Sequence, residues 1–509
     1  MEPLAEGASA NLNVTLDRFS ALPREVAHHV LSFLPISDIT RVGMLSQECR
    51  AFYLSTPTLN FTEFPSESTR AFNSRLELMA SLDKFFIHRH HNKVQSFSLD
   101  WVSKYELGET DIEKCCSVEK SRVLGWIENA LTCNVEKLDF FFLTVMPTVK
   151  DIISETQIDF PSSVFVSGSL RSLSLLMKRA TLKASTFSAS SICNLVFLTL
   201  RSVTMEDDEG FCKWICFCCR NIKELTLEFV IGLRKIDIES SSLESFGVEF
   251  PSCCDLCHVK ISGEKVEDLR INWKFNAPLP RTNSLEIFAP NLKRLNWVGY
   301  MMNHQNLGEL NCLEEVQISL MADGVDDPES KTHEFLSSIR SAKTLRIDQG
   351  TAKNLFKDGN TPPILHELCC LHVTIWSGID DKVVPALASL FKGLSNLTTL
   401  ELTVSSDQLP FFFCSANAAT SSGFDRRYWE RQHLEFVSQL KYVTIELTNG
   451  SNGFVLAKYL LERAQNLEEM LVICLPNQWN FARKLRSSRI ISSNAAVGYL
   501  EKSRGRTGF

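Results

Sequence analysis

The chain has 509 residues, 44% of them apolar and 22% charged, with a net charge of −7. That length predicts two or three ordinary domains or one elongated repeat array, and the composition is that of a soluble globular protein. The acidic balance argues against a broad nucleic-acid footprint, which needs a clustered basic face. No run of about eighteen apolar residues is present to span a membrane.

The opening stretch MEPLAEGASANLN has neither the basic start nor the apolar run of a secretory signal, so residues 1–15 are expected to be a disordered leader. Seventeen cysteines without such a signal imply reduced thiols, hence a cytoplasmic and/or nuclear protein. Residues 16–59, LDRFSALPREVAHHVLSFLPISDITRVGMLSQECRAFYLSTPTL, carry apolar residues at helical spacing. Leu22, Val26, Val30, Leu31 and Leu34 fall on one helical stripe. Pro23 suits a first helical turn, and Pro35 ends the helix. Ser37 or Asp38 is then expected to cap a second helix through Val42 and Leu45. Some fifty residues cannot bury so many Leu and Val alone, so the segment is built to dock.

Further along, His88-Arg89-His90-His91 follows the apolar helix of Leu82, Phe85 and Phe86. Basic residues suit a helix C-terminus, and the run is expected to be a solvated helix end rather than a metal site. From Val94 onward the pattern apolar-x-x-apolar-x-apolar recurs, often opened by Asn. It starts at Val94, Val135, Leu170, Leu195, Ile222, Leu243, Val266, Leu292, Leu313, Ala342, Leu368, Leu397, Leu440 and Leu467. Most steps lie between roughly 21 and 29 residues, the period of leucine-rich repeats. One short strand per unit cannot bury its own apolar side, so neighbours must stack to supply the cover. Helix-like connections at 122–132, 383–394 and 454–464 predict an α/β fold: a curved solenoid of strand plus return helix, with parallel strands on the concave face.

Within the array, Glu206-Asp207-Asp208-Glu209 precedes a helix through Trp214, where acidic residues are favoured electrostatically. Cys212, Cys216, Cys218 and Cys219, together with Cys253, Cys254 and Cys257, lack the paired spacing of a zinc site. Cys254 to His258 matches the haem-attachment pattern, but the chain shows no export route or haem pocket. Core thiols, which behave as small hydrophobes, are the preferred reading. No phosphate-binding, nucleophile-elbow or metalloprotease motif is present, so no cofactor or catalytic residue is expected. RKLRSSR at 483–489 is too weak a basic run to indicate nuclear import.

Leu22-Pro23, Val30 through Pro35, Asp38, Leu45-Ser46 and Arg50 together resemble the F-box, the module that joins a substrate-recognition protein to a Skp-type adaptor and thence to a cullin ubiquitin ligase. F-boxes of this kind carry Lys-Arg-Trp-Arg where this chain has Gln47-Glu48-Cys49-Arg50. The irregular repeats resemble those of plant F-box proteins with degenerate leucine-rich repeats. Residues 123–142, with Trp126 in the helix, are similar to that family's opening repeat. Residues 424–474 resemble the FBD module, with Tyr428-Trp429, a strand from Leu440 to Leu447, a helix through Leu456 to Ala464 and a closing strand from Leu467 to Ile473. An Asn449-Gly450 turn fits between strand and helix.

The resemblance implies an F-box at 16–64, an irregular repeat solenoid at 65–423, an FBD-like module at 424–492 and a flexible tail at 493–509. It further implies a non-catalytic substrate adaptor, with the Skp-type partner on Leu22, Pro23, Val26, Val30, Leu31, Leu34, Pro35, Val42, Leu45 and Arg50. An unidentified target protein would sit on the repeats. Two alternatives share the architecture: a ligase-independent binding scaffold and a small-molecule receptor.

Overall fold

The computed structural model describes residues 18–62, 72–89, 92–105, 112–145, 158–183, 193–250, 255–274, 282–321, 325–356, 363–376, 379–404, 424–447, 451–474 and 479–501. The chain divides into two compact units, Met1–Ala180 and Thr181–Phe509. His90, His91, Cys253, Cys254 and the Asn449-Gly450 turn lie outside the described residues.

The first unit begins with three short helices, α1 (Arg24–Leu31), α2 (Ile36–Val42) and α3 (Gln47–Ser55). Pro23 and Pro35 stand at the N-cap positions of α1 and α2, and neither helix has a side-chain cap. The expected cap by Ser37 or Asp38 is therefore absent: Ile36 already lies inside the helix, because the fixed φ of Pro35 starts it earlier. Ser46 caps α3, its Oγ accepting from the Cys49 amide at 3.0 Å. Ala27, Leu31, Ile36, Ile39 and Cys49 form the small core of this module.

The strand Thr58–Phe61 and the helix α4 (Phe72–Arg89) follow. Phe85 of α4 packs against Tyr53 and Phe61, with ring centroids 5.1 and 6.2 Å away. At the end of α4, Arg89 is fully buried. Its Nη2 donates to the carbonyls of Thr56 at 2.6 Å and Lys93 at 2.9 Å, and burial lowers its pKa to about 10. The expected solvated helix end is thus corrected for Arg89, although His88 is exposed. The two carbonyls on Nη2 offset part of the cost of burying this guanidinium.

The helix α5 (Ile112–Thr132) holds Trp126 as the sequence predicts. The Trp126 indole donates to Asp83 of α4 at 2.7 Å and packs edge-on against Trp101. Arg75 of α4 and Glu119 of α5 form a fully buried ion pair at 2.8 Å. Parallel strands Thr58–Phe61, Ser96–Lys104, Lys137–Val145 and Ser172–Met177 pair in chain order.

In the second unit, parallel strands run in chain order from Phe197–Arg201 to Ala496–Glu501. Across both units every hexamer of the sequence pattern begins a strand at its third residue, from Ser96 after Val94 to Glu469 after Leu467. Register stacks equivalent side chains in buried rows, such as Leu225, Phe246, Leu269, Leu295 and Val316. The residue before each hexamer explains the recurrent Asn. Asn291, Asn396 and Asn466 donate to backbone carbonyls of the preceding repeat at 2.8, 2.8 and 2.7 Å. Ser169 and Ser242 do the same at 2.9 and 2.8 Å. Gly299, inside the strand Arg294–Tyr300, has φ of 146°, and a Cβ there would run into the Trp273 carbonyl.

The return segments differ from expectation between about 230 and 310. Strands Lys235–Glu239, His258–Ser262, Ser284–Phe288 and His304–Asn306 form a second, four-stranded parallel sheet in place of return helices. The repeats here are short, and an extended strand advances about 3.3 Å per residue against 1.5 Å for a helix. Few residues then suffice to cross back. The alternation Lys-Ile-Asp-Ile-Glu, with Ile236 and Ile238 buried, fits that geometry.

Helix α6 (Asp208–Phe217) covers the free edge of this second sheet. Asp207 caps the helix through the Gly210 amide. Asp208 Oδ2 accepts from the amides of Arg234 and Lys235 at 3.1 and 3.0 Å. The sulfurs of Cys212 and Cys216 accept from Asp237 and Glu239 at 3.5 and 3.3 Å. At the C-terminal end, Trp429 is fully buried between Phe391 and Tyr459. Residues 496–501, expected in a flexible tail, form a strand paired in register with Glu469–Cys474.

Candidate functional site

The helical module exposes an apolar set that its own core does not use. Val26, Val30 and Phe33 recur at i, i+4 and i+7, the spacing of one helical face. They are 45%, 41% and 74% exposed. Past the end of α2, Met44 and Leu45 are 79% and 76% exposed. Ala27 and Leu31, one position along from Val26 and Val30, point into the module. The stripe expected from the sequence is therefore two adjacent faces, one inward and one outward.

Of the expected docking residues, Pro23, Val26, Val30, Leu45 and Arg50 are exposed, and Leu22, Leu34, Pro35 and Val42 are half-buried. Leu31 is fully buried and supports the surface from beneath. Phe33 and Met44 are additions that sequence reasoning passed over. Their signal was being apolar while off the Ala27–Leu31 phase. Where the F-box pattern has Trp, Cys49 is buried, its Sγ 3.6 Å from Ser20 Oγ. Gln47 and Glu48 beside it are exposed.

The second candidate surface is the solvent-facing side of the long sheet in the second unit. Register brings Arg270, Asn296, Gln317, Arg346, His372 and Glu401 into one row. Asp268, Arg294, Glu315 and Thr344 form the row beside it. Asp268 holds Arg270 and Arg294 at 3.2 and 3.1 Å. Arg346 contacts Glu315 at 2.8 Å and donates to His372 Nδ1 at 2.9 Å. Arginine has no acceptor to offer, so His372 is neutral there and its Nε2–H donates to Thr403 at 2.7 Å. Burial lowers the His372 pKa; Glu401 opposes that shift and Arg346 adds to it. This polar face can hydrogen-bond a protein surface, and among its described residues no nucleophile–base pair is placed.

Among the described residues no group of three or more His, Cys, Asp or Glu is placed to hold a metal ion. The acidic run at 206–209 instead supplies the cap of α6 and its edge contacts. No helix among the described residues is long and apolar enough to cross a membrane.

A three-helix module with an exposed apolar set, stacked repeat strands and a polar sheet face are what an F-box protein with leucine-rich repeats would present. No family model matches the chain. Curated relatives do. An F-box/FBD/LRR-repeat protein of Arabidopsis thaliana is 23% identical over 91% of this chain and 90% of its own length. An F-box/LRR-repeat protein of the same plant is 23% identical over 75% of this chain and 72% of its own length. F-box/LRR-repeat protein 25, also from Arabidopsis thaliana, is 28% identical over 47% and 78%. Over most of its length the chain is thus similar to plant F-box/FBD/LRR-repeat proteins.

Proposed function

We propose that this protein is the substrate-recognition subunit of a Skp–cullin–F-box ubiquitin ligase, acting in the cytosol and/or nucleus. The observation that carries the reading is the exposed set Val26, Val30, Phe33, Met44 and Leu45 on a three-helix module, in a chain similar to F-box/LRR proteins. The module docks a Skp-type adaptor and, through it, a cullin. The polar sheet face engages a target protein. The chain supplies no reacting group; it raises the effective concentration of target near the charged ubiquitin carrier.

Phe33→Asp with Leu45→Asp is the direct test, because both side chains are exposed and their replacement leaves the core intact. Loss of a central apolar anchor costs about 2–4 kcal/mol of binding, or about 30- to 700-fold. Co-purification with a Skp-type adaptor should be lost while the circular dichroism spectrum is kept. Undiminished adaptor capture by this variant would overturn the docking surface. The ligase-independent scaffold is the second reading, supported by Gln47-Glu48-Cys49 in place of two basic residues and Trp. It predicts that the unmodified chain captures no adaptor at all.

A further inference from the structure

On the side of α3 toward α4 lies an open cleft of about 670 Å³. Its walls are two helical faces of matching period. From α3 come Arg50, Tyr53 and Leu54, at i, i+3 and i+4. From α4 come Ser81, Lys84, Phe85 and His88, at i, i+3, i+4 and i+7. Side chains at such spacings share one face of a helix, so the two rows look at each other across the gap. The floor is apolar and aromatic, with Tyr53 and Phe85 rings 5.1 Å apart. Gly43 closes the corner between α2 and α3, where a Cβ would approach the Tyr53 side chain to 2.8 Å.

The charge is one-sided. Arg50 and Lys84 line the cleft, with His88 beside them, and no carboxylate does. Among the described residues neither Arg50 nor Lys84 is engaged in an ion pair, whereas Lys93, Arg122 and Arg41 of the same unit each are. The N-terminal turn of α3, at Ser46 and Gln47, opens into the same space and adds its positive end. A cleft walled by one sign of charge concentrates counter-charges inside it. Like charges facing each other across a gap also disfavour the empty state.

We propose that this cleft is a docking site for a carboxylate-rich peptide segment that buries one apolar side chain against Tyr53 and Phe85. The commitment to a peptide, rather than a bare anion, rests on the pairing of a cationic rim with an apolar floor. Met44, which lines the cleft, is also part of the exposed apolar set, so the two surfaces are continuous. The inference goes beyond the adaptor reading: although Met44 and Arg50 belong to both surfaces, it rests on the Tyr53–Phe85 floor and on Lys84 of α4 and does not require the adaptor to be the occupant.

Fluorescence anisotropy of the full chain with a labelled short peptide, one Leu flanked by Asp and Glu, tests it. The amide counterpart, with Asn and Gln in place of the acids, is the control. The acidic probe should bind at least about tenfold more tightly than the control, and added salt should erase the difference. Arg50→Glu with Lys84→Glu should weaken it by a similar factor, with an unchanged melting temperature; Arg50→Gln with Lys84→Gln serves where the reversal disturbs folding. Replacing the probe's Leu by Gly should weaken it as well. Equal binding of acidic and amide probes would overturn the proposal. So would binding indifferent to the Arg50 and Lys84 variants, or binding indifferent to the probe's Leu and displaced by inorganic phosphate, which would mark a simple anion site. Adaptor capture does not enter this readout, so the two readings fail separately.

Discussion

Two histidines and the thiols show how burial sets chemistry one residue at a time. His28 of α1 faces α3, its Nε2 2.9 Å from Ser55 Oγ. Burial lowers its pKa below 6.5, helped by Arg24 and Arg89; burial also leads the lowering at His372. Each imidazole takes a proton more readily in the unfolded chain, so acid favours unfolding. Their stability contribution is present above pH 6.5 and declines as pH falls from there toward the lower folded values. Urea titrations at neutral pH and about one to two units below the usual imidazole pKa should show that loss, and His28→Gln with His372→Gln should flatten it. Thiol reactivity follows the same logic. Burial pushes the Cys212 thiol up to about 12, while Cys312 is exposed. Since the thiolate is the reactive form, iodoacetamide on the native chain should label Cys312 and spare Cys212, as peptide mass mapping would show. The sequence marked these cysteines as core thiols, yet the backbone contacts of Cys212 and Cys216 were not legible, because they come from a strand some twenty residues away.

Elements turn on which face is inward. Val26 and Leu31 are both aliphatic, one 45% exposed and the other fully buried, and periodicity alone assigned them to one stripe. Leu31→Ala should cost about 2–5 kcal/mol of stability by opening a cavity, whereas Phe33→Ala should leave stability within about 0.5 kcal/mol. Chemical denaturation of the two variants checks both. Gly43→Val should likewise destabilise, by about 1–3 kcal/mol, through overpacking against Tyr53. The return segments gave the other surprise. Short repeats made strands where helices were expected, and strand edges need cover. Helix α6 provides it with Asp208, Cys212 and Cys216. Asp208→Ala leaves two edge amides to water and should cost about 1 kcal/mol, read as a lower melting temperature.

At the scale of the molecule, hexamers and spacing were enough to place the strands, because a repeat that needs its neighbour for cover writes the same apolar pattern each time. The polar sheet face was not legible in this way. Arg270, Arg294 and Arg346 lie far apart in sequence, and only register sets them side by side. Replacing all three by Gln removes the positive charge without setting carboxylates against Asp268 and Glu315 and should leave adaptor capture unchanged, with only a small loss of stability. Proximity labelling of this variant should recover a different set of neighbours from the parent chain when proteasome activity is blocked.

The amino-acid sequence by itself determined the strand positions and the helices at Trp126 and Trp214, all of which follow from local period and from residues whose backbone preferences are strong. Only the tertiary structure decided that Arg89 is buried, that Phe33 and Met44 are exposed, that return strands build a second sheet and that α3 and α4 enclose a cationic cleft. Each of those depends on which neighbour covers a given face, and cover is a property of packing between segments distant in the chain. In the stretch at 16–59 the sequence supplied the apolar residues, and the fold selected which of them are left exposed.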